Sequence, residues 1–168
     1  MRRRPIAGLA VSLAVALGVA CSGIMGAAED PPGGRNADEE VREFFLSGIA
    51  AFNRHELNRF MDQFGADIRM YTPTGWVNGF AAVRERFAST FGQFPAVRME
   101  VDSLETRQVA DGVVVTEFRW RVYPTGQGPA FHGAGSGVYV LRDGDWEAVL
   151  GHETVTHVDE PLRQGPPR

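Results

Sequence analysis

Lysine is absent from the 168 residues; all seventeen basic residues are arginine. That removes a Schiff-base lysine and the lysine of a P-loop. A single cysteine, Cys21, excludes a disulfide framework within the chain and a cysteine-rich zinc site. An excess of positive charge is missing too, since 21 acidic residues outnumber the basic ones and leave a net charge of -4. A net acidic chain is poorly suited to the phosphate neutralisation that drives sequence-blind nucleic-acid binding. Nor is the chain poor in apolar residues: 43% are hydrophobic and 23% charged, an ordinary globular composition. The length sets a prior of one domain.

One long apolar run is present, at the N-terminus. Arg2, Arg3 and Arg4 precede Ile6 to Ala20, in which only Ser12 is polar. The run has the length of a signal-peptide core and falls short of the roughly 20 residues of a spanning helix. Small residues follow up to Ala28, so residues 1–28 are expected to be a signal peptide. Cys21 is the lipidation candidate: Ala20 suits the preceding position, although Gly18 stands where a large aliphatic belongs. The expected location is outside the cytoplasm: periplasmic, extracellular, or in the cell envelope as a lipoprotein. Membrane contact would come only through the signal peptide or a lipid anchor. Removal of residues 1–28 leaves 14 arginines against 21 acids. Residues 29–35, with Pro31, Pro32, Gly33 and Gly34, read as a spacer, and 159–168 as a disordered tail. The folding part is 36–158.

Within it, helical spacing comes first. Asn36 and Glu39 have the spacing of a capping box. Val41, Phe44, Phe45, Gly48, Ile49 and Phe52 form one apolar stripe. Leu57, Phe60, Met61 and Phe64 predict a second helix, closed by Gly65. Asp67 to Tyr71 is a short strand candidate, Pro73 to Gly79 a loop, and Phe80, Val83, Phe87 and Phe91 a third helix. From Val97 the period becomes two. Asp111-Gly112 and Asp143-Gly144 mark hairpin turns between long strands. Helices followed by antiparallel strands indicate an α+β fold.

These residues resemble a known family. Ala51 to Leu57 is similar to its break between the first two helices; Tyr71, Thr72, Pro73 and Gly79, with Val83 and Arg84 behind, to its central loop and helix. Asp143, Gly144, Trp146, His152 and Thr154 are similar to its closing strand. Together they resemble the nuclear transport factor 2-like superfamily in its SnoaL-like branch. The resemblance covers the whole folding region. It implies a single cone-shaped domain: three N-terminal helices packed on a strongly curved antiparallel sheet, with a pocket at the open end. It also implies a homodimer through the sheet's outer face. It does not define a function, because one fold hosts many. The ketosteroid isomerisation known on this fold needs a carboxylate base before the loop proline, where this chain has Thr72, and a tyrosine on the first helix, where it has none. The Asp-Arg-Asp set of the epoxide-hydrolase type cannot be assembled either.

Regular hairpin register assigns faces. Counted from Asp143-Gly144, Gly135 falls opposite His152, and Tyr139, Trp146, His152 and Thr154 share one face. Gly133, Gly135 and Gly137 leave that face bare beside His152. In the preceding strand Val114, Phe118, Trp120 and Val122 share a face, and Glu117, Arg119 and Arg121 line the other. His152 is therefore the candidate catalytic or ligand-orienting residue, able to exchange a proton near neutral pH. Tyr71, Trp76, Phe118, Trp120, Tyr139, Trp146 and Thr154 are candidates for the pocket lining. His152 and His157 do not form a His-Glu-x-x-His motif, and on a regular strand they point to opposite faces. No metal site and no cofactor are expected.

Three functions remain open. The chain binds a small hydrophobic molecule in the cone; or it is a SnoaL-like enzyme, an isomerase, cyclase or hydrolase with His152 as acid/base and Tyr71 or Tyr139 orienting; or it is a dimeric interaction domain with a vestigial pocket. The first is favoured. An aromatic-filled pocket would favour the third.

Overall fold

The computed structural model describes residues 36–160; the signal-peptide, Cys21 and spacer assignments, and most of the tail, lie outside the described residues. Three helices come early: α1 (Ala37–Asn53), α2 (Leu57–Met61) and α3 (Phe80–Gln93). Six strands form one sheet: β1 (Phe64–Thr72), β2 (Gly75–Asn78), β3 (Arg98–Ala110), β4 (Val113–Tyr123), β5 (Phe131–Arg142) and β6 (Asp145–Val158). Their order is β2-β1-β6-β5-β4-β3. This is the α+β architecture the sequence led one to expect, with one exception to antiparallel pairing: β1 runs parallel to β6.

Helix α1 starts where the cap residue stands. The Asn36 side chain accepts from Asp38 N, one residue short of the expected partner, and Asp38, Glu39 and Glu40 complement the helix dipole. Its apolar stripe buries Val41, Phe45, Ala51 and Phe52. Helix α2 is shorter than expected. Phe64 and Gly65 belong to β1 rather than to a helix end, because Ala148 N bonds Gln63 O and Phe64 then pairs with Ala148 of β6. The presumed loop after β1 holds β2. The Thr72 hydroxyl donates to Gly75 O and accepts from Thr74 N, which closes the turn.

The free edge of β3 is covered by side chains of α1 and the residues after it. Arg42 donates to Leu104 O, the Asn53 amide both donates to Met99 O and accepts from Met99 N, and His55 bonds Val97 O. Backbone groups that would otherwise template pairing with another chain are thereby satisfied. At the opposite end, Asp159 belongs to the folded unit rather than to a tail. Its N–H donates to Ala130 O, and its carboxylate accepts from Ala130 N and bonds His132. The Ala130 N–H, then His132, hold this carboxyl below the usual range.

Candidate functional site

The helices cover one face of the sheet, and a cavity of about 80 Å³ lies between them. Its wall is mostly rings and aliphatic chains: Phe45 and Ile49 of α1, Phe60 and Phe87, and Met99, Phe118, Trp120 and Tyr139 of the sheet. A second cavity of about 180 Å³ shares Phe87, Met99, Trp120 and Glu153 with the first. It adds Pro73, Arg86 and the exposed Phe131 and Val155. The two spaces therefore adjoin across these four residues, and Phe131 and Val155 bring the second to the exposed surface.

Polar groups in this apolar space are few. Thr116 is fully buried, and its Oγ1 has no hydrogen-bond partner among the described residues. Leaving a buried hydroxyl unpaired costs about 1–3 kcal/mol. The buried Gln63 amide donates to Phe60 O at 3.2 Å. Burial raises the Tyr139 hydroxyl above its ordinary range, so it stays protonated at any physiological pH. Glu153 accepts from Arg86 of α3 at 2.8 Å, with the two side chains only 21% and 28% exposed. These groups supply hydrogen bonds from hydroxyls and an amide, and one carboxylate held by a guanidinium.

His152 is not among the inward side chains. The β5–β6 register runs regularly from Arg142↔Asp145 to Tyr139↔Ala148, then shifts, so that Val138 pairs with Leu150 and Ser136, not Gly135, pairs with His152. One extra residue, Val149, is absorbed in a bulge. A slip of one residue turns every following side chain to the opposite face. Gly151 therefore abuts the buried Met70, Glu153 reaches inward to Arg86, and His152 faces outward. There its ring stacks on Tyr71 at 5.9 Å, and Tyr71 meets Trp76 edge-on at 5.1 Å. Tyr71 and Trp76 are 45% and 51% exposed, and Arg69 lies over the Trp76 ring at 4.6 Å.

The candidates thus divide. Phe118, Trp120 and Tyr139 line the inner cavity. The side chains of Tyr71, Trp76, His152 and Thr154 sit on the outer face, Thr154 opposite Ala134, although His152 is also among the residues bordering the inner cavity. Trp146 packs against the core from one side and donates to Glu40 at 3.0 Å, away from either cavity. Gly133 and Gly135 do not leave empty space: a Cβ at Gly133 would collide with the Trp120 indole, and one at Gly135 with the Phe118 ring. His152 and His157 share the outer face, because a second shift between His132 and Gly133 pairs His157 with His132. They remain roughly 16 Å apart along an extended strand. Among the described residues no group of three or more histidine, cysteine or acidic side chains has the arrangement of a metal centre.

Glu153, Arg86, Gln63 and Thr116 were not singled out from the sequence. Two of them left a signal. Thr116 is the one polar residue among the inward positions Val114, Phe118 and Trp120, and Arg86 follows Val83 by three on the apolar stripe of α3.

With the fold and cavity described, the class of protein follows. A sheet wrapped by three helices around an apolar concave cavity is the nuclear transport factor 2-like architecture, and the chain belongs to the SnoaL-like domain family, whose model matches residues 29–149. It is similar to a protein of unknown function from Pseudomonas putida described as NTF2-like, with 14% identity, TM-score 0.67, and 78% of this chain and 96% of that one covered. It is also similar to an uncharacterised protein with a cystatin-like fold from Caulobacter vibrioides, at 20% identity, TM-score 0.63, and 71% and 89% coverage. A nuclear transport factor 2-like superfamily protein from Salmonella enterica aligns at 18% identity, TM-score 0.62, over 77% and 96%. At such identities the likeness is one of fold. No curated protein matches the chain.

Proposed function

We propose that the chain binds a compact, largely apolar molecule in the concave-side cavity. The observation that carries this reading is an apolar wall interrupted by a few convergent polar groups, Thr116, Gln63, Tyr139 and Glu153, which is the usual composition of a small-molecule site. The size sets the class. Drug-sized ligands occupy about 300–1,000 Å³, whereas the inner cavity offers about 80 Å³. A six-membered ring needs about 150 Å³, so a ring seated here would have to extend past Phe87, Met99 and Trp120 into the outer space. Cyclohexanone and benzene, followed by saturation-transfer NMR, are suitable probes. Binding is expected to survive His152→Ala, with stability changed by less than about 0.5 kcal/mol as for an outer-face residue. Glu153→Ala leaves the Arg86 guanidinium unpaired in a half-buried place and is expected to cost about 1–3 kcal/mol. Absence of saturation transfer to every probe would remove the reading, and loss of binding in His152→Ala would return that residue to the site.

A second reading, association of two copies through the outer face of the sheet, is favoured by the exposed Tyr71, Trp76 and Leu150, which lie together on β1, β2 and β6. The charged stripe on β4 contributes less than its sequence promises. Arg121 is bound within the chain to Asp102 at 2.7 Å and Glu100 at 3.3 Å, and Glu117 pairs in register with Glu105, a like charge. The apolar patch, not the stripe, would then drive the contact. Equilibrium sedimentation is expected to give a dimer at micromolar concentration and a monomer for Trp76→Glu; a wild-type monomer would exclude it.

A further inference from the structure

Thr116 stands where packing alone would place valine. Its neighbours along the inward face of β4 are Val114 and Phe118, it is fully buried, and its hydroxyl has no partner among the described residues. Valine has the same shape without an unmet hydrogen bond, so the hydroxyl is costly unless something else meets it. The residues directly opposite in register are Thr106 on β3, which makes no hydrogen bond to it, and Gly137 on β5. A Cβ there would come within 2.9 Å of Thr116 Oγ1 and 3.3 Å of the Tyr139 ring, so the glycine keeps space around the hydroxyl clear. Thr116, Gly137 and Tyr139 all line the inner cavity.

The charge of the lining restricts what can meet that hydroxyl. Glu153 borders the inner cavity, and no arginine does; Arg86 borders only the outer one. An anionic group placed inside would face the Glu153 carboxylate, whose one cation, Arg86, lies on the outer side, in a medium where charge is expensive to bury. A cation is disfavoured by the same desolvation, and Glu153 is already engaged by Arg86. An uncharged oxygen is left: a ketone accepting from the Thr116 O–H, or an alcohol that donates or accepts.

We propose that Thr116 is the specificity-determining residue of the cavity, its hydroxyl hydrogen-bonding the single uncharged oxygen of a compact apolar ketone or alcohol. This rests on the cavity-binding reading and goes beyond it by naming the ligand's functional group and the atom that recognises it.

The test uses the full chain and two probes of similar size, cyclohexanone and methylcyclohexane, with dissociation constants from NMR titration. In Thr116→Val the ratio of the cyclohexanone constant to the methylcyclohexane constant is expected to rise about three- to tenfold over wild type, the worth of one neutral hydrogen bond. Methylcyclohexane binding itself should hold or tighten. Thr116→Ser, which keeps the oxygen, should keep the wild-type ratio. Thr116→Ala, which also lacks it, takes the place of valine if that variant does not fold. An unchanged ratio in the variants without the hydroxyl, with both probes still bound, overturns the role of Thr116 and leaves the cavity reading standing. Failure of both probes to bind wild type overturns the cavity reading and this inference with it.

Discussion

Phe52→Ala is expected to lower the folding free energy by about 3–5 kcal/mol, the cost of deleting a large buried ring whose surroundings close only partly. Phe52 ends α1 and is 2% exposed. Its ring meets Phe91 at 5.0 Å, Phe60 at 5.4 Å and Phe87 at 6.4 Å, so one side chain joins all three helices. Each contact adds to simple burial, since edge-on and tilted ring pairs are favoured by their quadrupoles. A loss of this size is a large share of the roughly 5–15 kcal/mol that stabilises a typical domain. Urea unfolding is the measurement: the midpoint should fall while the slope stays near wild type, because the surface exposed on unfolding scarcely changes. Phe94, exposed at the C-terminal cap of α3, supplies the contrast. Phe94→Ala should move the midpoint little, and equal effects at the two positions would refute the role given to Phe52.

The second large effect concerns the glycines of β5. Gly133→Val is expected to destabilise by about 1–3 kcal/mol or more, because a side chain there enters space already filled. The Trp120 indole from β4 lies across Gly133, and the Thr154 carbonyl of β6 closes the other side. The ring can move only into the cavity it walls, and the carbonyl cannot move without breaking the sheet. Trp120→Ala should be costly for the opposite reason, as an excavation. The two changes are complementary in volume, so the double variant is expected to be more stable than the summed single costs predict. Strict additivity would mean that indole and glycine do not share the space the structure assigns them. The glycines that read as an open floor are the seats of the aromatic rings.

How far the site was legible from the sequence came down to which strand of each hairpin carries the bulges. In the β3–β4 hairpin the register shifts twice, once between Val101 and Ser103 and once between Gln108 and Ala110. Both extra residues, Asp102 and Val109, lie on β3, so β4 alternates without a break and Val114, Phe118 and Trp120 share the inward face as a regular strand predicts. In the β5–β6 hairpin one shift precedes His152 and the second comes only after Val155. Between them each residue of β6 faces opposite to its expected side. His152 and Thr154 leave the pocket, and Glu153 enters it. The bulged residues, such as Val149, are ordinary strand formers with nothing in their chemistry to announce a bulge.

Some things were settled by the sequence alone. Apolar residues three and four apart decided the long helices; alternation and the two Asp-Gly turns decided the hairpins. The absence of lysine and the single cysteine removed whole classes of chemistry. These are local properties, carried by spacing and by the φ preferences of a few residues, such as Asp143 and Gly144 in the left-handed region. Tertiary structure alone decided the parallel pairing of β1 with β6, the early end of α2, the Arg86–Glu153 pair that spans 67 residues, and the unmet hydroxyl of Thr116. Each depends on which distant segment lies alongside. A strand's inward face is fixed by the bulges the strand itself carries, and a buried polar atom is satisfied or left bare only by what the fold brings within hydrogen-bonding reach.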